Sequence, residues 1–103
     1  MTEMMFEGEE ARKVARAFSS ETCYRILQLL ARESLDVSTI SRRLRLSEAH
    51  VSGEVSLLQD LKLIKVNYAP GKRGIRKMCE LAVEKILIVI KTSKGATSSY
   101  ALT

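Results

Sequence analysis

The segment from Leu35 to Val66 constrains the fold of this chain more than any other stretch. It has the pattern of a short helix, a tight turn, a longer helix and a strand. Asp36 and Ser47 are placed to cap the two helices, because short polar side chains accept hydrogen bonds from exposed backbone N–H groups at helix starts. Apolar residues recur at helical spacing in both helices: Val37, Ile40 and Leu44, then Val51, Val55, Leu58 and Leu61. The spacing predicts helices over residues 37–44 and 47–61.

A β-hairpin over residues 64–81 is predicted to follow. Apolar and polar residues alternate from Ile64 to Ala69, which is typical of a half-buried strand. The next segment, Pro70–Gly74, has the composition of a turn, because Pro fixes one dihedral angle and Gly permits positive φ. Ile75 to Leu81 then returns as the partner strand, with Cys79 on the face that its two end residues share.

This order of elements resembles the winged helix-turn-helix proteins, and most closely the arsenical-repressor (ArsR) type, with the hairpin as the wing. The resemblance extends upstream to Phe18–Leu30, FSSETCYRILQLL, which is similar to the opening helix of that family. It covers about residues 11 to 82 of the chain. It implies a mainly α, α+β fold in a single domain over residues 1–103, in which the second helix of residues 36–61 enters the major groove of DNA.

The sequence departs from the family pattern at several positions. Cys23 stands where the opening helix of the family usually has Arg. Arg45 replaces the usual Gly of the turn, and Lys62 replaces the Gly that ends the recognition helix. Gly53 and Glu54 occupy positions that often carry base-reading side chains. These departures leave the fold unchanged but predict weak base readout.

Residues expected to contact DNA lie on both helices and on the wing. Cations in the first helix, the turn and the wing are expected to bind phosphates, which dominate DNA affinity. Polar residues of the second helix can make only single hydrogen bonds to base edges or phosphates. The expected nucleic-acid-binding residues are Arg42, Arg43, Arg45, Ser47, His50, Ser52, Gly53, Ser56, Lys72, Arg73 and Arg76.

The two ends of the chain are expected to form a homodimer interface. Residues 9–18 form an amphipathic helix with one apolar stripe. Residues 82–91 fit both a strand and a helical stripe, and the resemblance favours a dimerising helix there. The expected interface residues are Ala11, Val14, Phe18, Ile86, Leu87 and Ile90.

The remaining segments complete the expected organisation. Residues 20–32 are expected to form the helix that precedes the helix-turn-helix. Met4, Met5 and Phe6 are expected to pack against a partner or to fray. Residues 92–103 are rich in Ser, Thr and Gly, and are expected to form a mobile tail.

Composition bounds the partners and the location. The 103 residues carry a formal net charge of +5, which favours a polyanionic partner. The start of the chain has no secretory pattern, and Ile86–Ile90 is too short an apolar run to span a membrane, so a cytoplasmic protein is expected. Asn67 is the only Asn, and Lys, Arg, Glu and Ile are plentiful, a pattern that suggests a thermophilic source, such as an archaeal one.

The cysteines and the single histidine suggest no catalytic or metal centre. Cys23 and Cys79 can be two buried free thiols, or an intrachain disulfide if the source is a thermophile. Two Cys and one His do not close a four-ligand zinc site, and residues 37–44 contain no Cys, His or Asp where the metal-sensing relatives carry a Cys pair. Phosphate-binding loops and catalytic triads are also missing, so neither an enzyme nor a cofactor is expected.

The sequence therefore favours a homodimeric DNA-binding transcriptional regulator without a metal site. Two alternatives stay open: a weakly selective architectural protein of chromatin, and a winged helix that binds another protein. The weak base-reading surface of the second helix favours these alternatives, whereas the basic wing argues against the protein-binding one.

Overall fold

The structure is a computed structural model, and it describes residues 2–90 of the chain. It contains four helices and five strands in the order β1 (Glu3–Glu7), α1 (Gly8–Ser19), α2 (Glu21–Leu30), β2 (Leu35–Asp36), α3 (Val37–Leu44), α4 (Glu48–Asp60), β3 (Ile64–Gly71), β4 (Gly74–Leu81) and β5 (Lys85–Val89). The strands form one three-stranded antiparallel sheet, ordered β2-β4-β3, and one two-stranded parallel sheet of β1 and β5. The α+β winged helix fold expected from the sequence is confirmed.

Both helices of the helix-turn-helix begin where their caps predict. The Asp36 carboxylate accepts a hydrogen bond from the Thr39 N–H at 2.9 Å, and the Ser47 hydroxyl accepts one from the His50 N–H at 3.0 Å. Each bond pairs a backbone donor that the first turn of a helix leaves free. The caps fix where α3 and α4 start, and so fix which of their residues face the core.

Both helices also end in the same way. Arg45 and Lys62 adopt left-handed conformations, with φ of 60° and 65°, at the two positions where the family usually has Gly. The Leu46 N–H donates to the Ser41 carbonyl, and the Leu63 N–H donates to the Leu58 carbonyl, both at 3.0 Å. This left-handed cap satisfies the last carbonyl groups of a helix.

The core lies between α1, α2, α3, α4 and the inner face of the wing sheet. Its centre consists of side chains with no exposed surface, among which are Val14, Ile26, Ile40, Val51, Val55, Leu58 and Leu63. The short strand β2 pairs with β4 opposite Met78 and Cys79, which fixes the base of the wing to the start of α3. No local sequence pattern signals this two-residue strand.

The two ends of the chain depart most from expectation. The prediction of a helix over residues 82–91 is wrong, because Lys85–Val89 forms a strand that pairs in parallel with β1, Met5 opposite Leu87. The segment expected to pack against a partner or to fray is instead a strand of the same small sheet, in which Phe6 is buried. Backbone pairing between the two ends overrides the helical stripe. Lys91 and the predicted tail over residues 92–103 lie outside the described residues.

Ile75 shares a face of β4 with Cys79 by strand alternation, but Ile75 is 78% exposed whereas Cys79 is buried. The hairpin runs from Ile64 to Leu81 with only Lys72 and Arg73 in the turn, so its outer half extends beyond the helical core. Strand alternation therefore predicts core burial only at the base of the wing, where Cys79 is fully buried.

Candidate nucleic-acid interface

The α4 helix presents a short polar surface that carries no cation and has the acid Glu48 at its start. Val51, Val55 and Leu58 face the core, so the intervening side chains lie towards solvent. His50, Gly53 and Ser56 are exposed and Ser52 is half-buried. A side chain at Gly53 would meet nothing within 4 Å, so its absence leaves the backbone open to approach from outside. Residues 48–60 contain no Lys or Arg, which excludes bidentate Arg contacts to guanine from this helix.

Glu54 does not belong to the exposed surface of α4. Its carboxylate accepts a hydrogen bond from the Cys23 thiol of α2, at 2.7 Å between Sγ and Oε2. Burial, together with this bond to Glu54, raises the pKa of Cys23 to about 11. Burial also raises the pKa of the Cys79 thiol. Both cysteines are free thiols in the structure, and the disulfide between them is not formed.

The wing and α4 face each other across a concave surface. One hollow of about 620 Å³ lies between the start of α4 and the wing, with Glu48, Ala49 and Ser52 on one side and Arg73, Arg76 and Lys77 on the other. A second hollow, of about 960 Å³, continues along the wing towards α3 and is bounded by Ser38, Arg42, Lys72 and Arg73. Lys77 belongs to the basic residues near the second helix in the sequence but was not among those expected to bind DNA, because strand alternation alone does not show which wing residues face α4.

Two acidic residues lie within this basic concave surface. The Ser38 hydroxyl donates to the Glu48 carboxylate at 3.3 Å, and Arg42 donates to the hydroxyls of Ser38 and Thr39 at 3.3 and 3.2 Å. These contacts hold Arg42 along the side of α3. The other acid, Asp36, forms an ion pair with Arg76, at 2.9 Å between Oδ2 and Nε.

Asp36 stays ionised because every polar contact favours its charged form. Hydrogen bonds from Thr39 are the main cause, with a smaller effect of Arg76, and together they lower the pKa of Asp36 to about 2. Its side chain is only 12% exposed. Asp36 thus contacts both the helix-turn-helix and the wing, a second role that its position as a helix cap did not reveal.

Arg43 and Arg45 are expected phosphate contacts that do not line the hollows beside the wing. Arg43 forms an ion pair with Glu33, at 3.2 Å, and lines a separate hollow with Arg25 and Arg32. Arg45 is exposed in the turn after α3, and Ser47 is exposed while its hydroxyl caps α4. The structure therefore brings Arg42, Ser52, Lys72, Arg73 and Arg76 together along the two hollows, and places Arg43 and Arg45 outside them.

The residues expected at a dimer interface separate into three pairs. Ala11 and Val14 are buried in the core of the chain itself, because α1 packs its apolar stripe against α2 and β1. Phe18 and Ile86 line one apolar hollow of about 330 Å³. Leu87 and Ile90 are exposed by 42% and 77%.

Helix, turn, recognition helix and a basic two-stranded wing together define a winged helix-turn-helix protein. No helix in the part of the chain described here is both long and apolar enough to cross a membrane. Within the same residues, no three His, Cys, Asp or Glu side chains are grouped closely enough to hold a metal ion.

Comparison with solved structures finds this fold in transcriptional regulators. HlyU from Vibrio cholerae N16961 matches with a TM-score of 0.57 and 21% identity, over 91% of this chain and 88% of its own. The transcriptional regulator HlyU from Vibrio vulnificus CMCP6 matches with a TM-score of 0.59 and 21% identity, over 74% of this chain and 75% of its own. An ArsR family transcriptional regulator matches with a TM-score of 0.60 and 16% identity, over 90% and 87%.

Comparisons with protein-family models and with curated proteins give no match. The likeness to solved structures confirms the ArsR-like winged helix fold that the sequence resembles.

Proposed function

We propose that this protein is a DNA-binding transcriptional regulator that acts as a homodimer. The observation that carries the proposal is the concave surface beside the wing, where Arg73, Arg76 and Lys77 face the start of α4. Arg42, Lys72 and Arg73 bound its continuation towards α3. Cations beside an exposed helix provide the phosphate contacts that position a recognition helix on a duplex. The structural neighbours are transcriptional regulators rather than enzymes, in agreement with this proposal.

Binding is expected to depend more on the DNA backbone than on base sequence. The wing tip carries the exposed cations Lys72 and Arg73, whereas α4 offers Glu48, His50 and small polar or apolar side chains, and no cation, to a groove. An uncharged side chain with one hydrogen bond discriminates between bases by about 1 kcal/mol or less. This difference favours modest sequence selectivity, and it keeps an architectural role in chromatin as the second candidate.

The wing is tested by fluorescence anisotropy across a salt series, with one palindromic and one random duplex. Replacing Lys72 and Arg73 by Ala should reduce the salt slope by about 0.9 for each phosphate that the protein no longer neutralises, and should weaken binding to both duplexes equally. The control replaces Lys13 and Arg16 by Ala, which removes the same charge from the exposed side of α1.

Equal binding by the wing variant and the parent at every salt concentration would remove the wing as a DNA contact and favour the protein-interaction role. Equal parent affinity for both duplexes would favour the architectural role. Replacing His50 or Ser52 should instead change the preference among sequences, and only slightly.

The homodimer is supported by the outer face of the β1–β5 sheet. Met5 and Leu87 are paired across the two strands and are exposed by 62% and 42%. Glu3 and Lys85 form an ion pair at 3.5 Å at the start of the same strands. A surface with apolar residues and both signs of charge can bind a two-fold copy of itself. We propose that a second copy covers this face.

Light scattering and sedimentation test the dimer. Replacing Leu87 by Asp should give a monomer at micromolar concentration, because burying an unpaired carboxylate at an interface is unfavourable. Ile75→Asp is the matched control, since Ile75 is exposed by 78% on the wing, away from this sheet. A parent protein that is monomeric, or a Leu87→Asp variant that stays dimeric, would contradict this interface.

A further inference from the structure

Arg76 is the wing cation whose side chain is fixed by contacts with two other elements. It lies on β4 opposite Ala69, and its Nε–H donates to the Asp36 carboxylate at the start of α3, at 2.9 Å. The terminal amino groups of Arg76 make no hydrogen bond or ion pair within residues 2–90. Its side chain is 49% exposed, and the residue lines both hollows beside the wing.

The aliphatic part of the same side chain lies against the backbone of Gly71. A Cβ atom added at Gly71 would be 2.4 Å from Cγ and 2.7 Å from Cδ of Arg76, too close for any real contact. Only Gly at this position lets the arginine lie across β3 in the observed conformation. This contact is independent of the ion pair, and it restricts the opposite end of the side chain.

The two contacts leave the terminal amino groups of Arg76 available to donate hydrogen bonds to a phosphate. A guanidinium has five N–H donors, and only the Nε–H is used by Asp36. A side chain that is ordered before binding loses less conformational entropy when it binds. Lys72 and Arg73 at the tip have no such contacts among the described residues, so they must become ordered on the DNA.

We propose that Asp36 and Gly71 are positioning residues of the DNA interface, which hold Arg76 ready to bind a backbone phosphate beside the wing. The inference rests on the proposed DNA-binding function. The negative charge of Asp36 itself repels DNA. In this proposal, the gain in DNA affinity from positioning Arg76 is larger than the loss from that repulsion. Charge alone predicts the opposite effect of removing the Asp36 carboxylate, because the loss of an acid from the interface should strengthen DNA binding.

The experiment uses anisotropy with a random-sequence duplex, because a phosphate contact does not depend on base sequence. Asp36→Asn keeps a good helix cap but removes the charge that holds Arg76. We expect affinity to fall by about threefold to tenfold, in the range of coupling between residues in direct contact. Asp60→Asn at the exposed end of α4 is the charge-matched control, and it should leave affinity unchanged or slightly raised.

Two further measurements separate positioning from a general loss of structure. Gly71→Ala should weaken binding to a similar degree, since it displaces the same side chain from the other end. In the Arg76→Ala background, Gly71→Ala should not change affinity further, and Asp36→Asn should leave it unchanged or slightly raised. NMR should show the Arg76 Nε–H protected from solvent exchange in the parent and exposed in Asp36→Asn, with no DNA present.

Each outcome decides between the two proposals. A parent that binds no duplex overturns both the DNA-binding function and this inference. A parent that binds DNA, with an Asp36→Asn variant that binds as tightly as Asp60→Asn, overturns the positioning role alone. An effect of Asp36→Asn that persists undiminished in the Arg76→Ala background would overturn it as well.

Discussion

The helix-turn-helix and the terminal sheet are stabilised in different ways. The helix-turn-helix has a side-chain cap on each helix, and its centre is fully buried at Ile40, Val51 and Leu58. The terminal sheet joins strands from opposite ends of the described chain, and one of its faces leaves Met5 62% exposed. A two-stranded sheet is marginal by itself. The first region contains its own stabilising contacts, whereas the second has a surface that a partner can cover.

The largest difference between the two regions should appear when an apolar side chain is shortened. Leu58→Ala should lower the free energy of unfolding by about 2 to 5 kcal/mol, because it leaves a cavity in a region with no exposed surface. Met5→Ala should change it by about 0.5 kcal/mol or less in dilute, monomeric protein. Denaturant unfolding at low concentration measures both. Comparable losses at the two positions would show that the terminal sheet is packed as tightly as the core.

The same contrast explains what the sequence could predict. The helix-turn-helix was predicted nearly to the residue, because its caps and its apolar spacing are local signals within residues 36–61. The Ile86–Ile90 run carries strand propensity and a helical stripe at once, and only its pairing with residues 3–7 decides between them. A pairing between residues about 80 positions apart leaves no local pattern.

The proposed DNA-binding surface could likewise be predicted only where local sequence patterns define it. The exposed cations Lys72 and Arg73 were recognisable from a turn composition beside a strand pattern. The contacts of Arg76 with Asp36 and Gly71, and that of Cys23 with Glu54, depend on tertiary packing. The cations beside the second helix are visible in the sequence, but which of them are held in place by other residues is not.

Acid should weaken the helix-turn-helix through Asp36. Its pKa falls from an ordinary 3.8 to about 2 in the folded protein. A carboxyl with a lowered pKa stabilises the fold fully above its unfolded pKa, and this contribution is lost as the pH falls from about 4 towards 2. We expect the contribution to be about 1 to 2 kcal/mol.

Unfolding of the parent and of Asp36→Asn between pH 7 and the acid range measures this effect. The variant should be less stable than the parent at neutral pH, and the two should converge as the pH approaches 2. A constant difference at every pH would show that the carboxylate charge is not what stabilises the start of α3.

The smallest expected effects concern the two left-handed helix ends, and they compare the interface with a site outside it. Gly adopts positive φ without the steric penalty of other residues, so Lys62→Gly and Arg45→Gly should each stabilise the fold by about 0.5 to 1 kcal/mol. Gly74→Ala, at a φ of 115°, should instead destabilise the fold.

If Arg45 contacts a phosphate, Arg45→Gly should also lower the salt slope of DNA binding by about 0.9, whereas Lys62→Gly should leave it unchanged. Thermal unfolding and anisotropy on the same samples test both statements. If neither variant changes the salt slope, Arg45 does not contact a phosphate. The unfavourable backbone conformation of Arg45 would then bring no gain in DNA binding, as for Lys62.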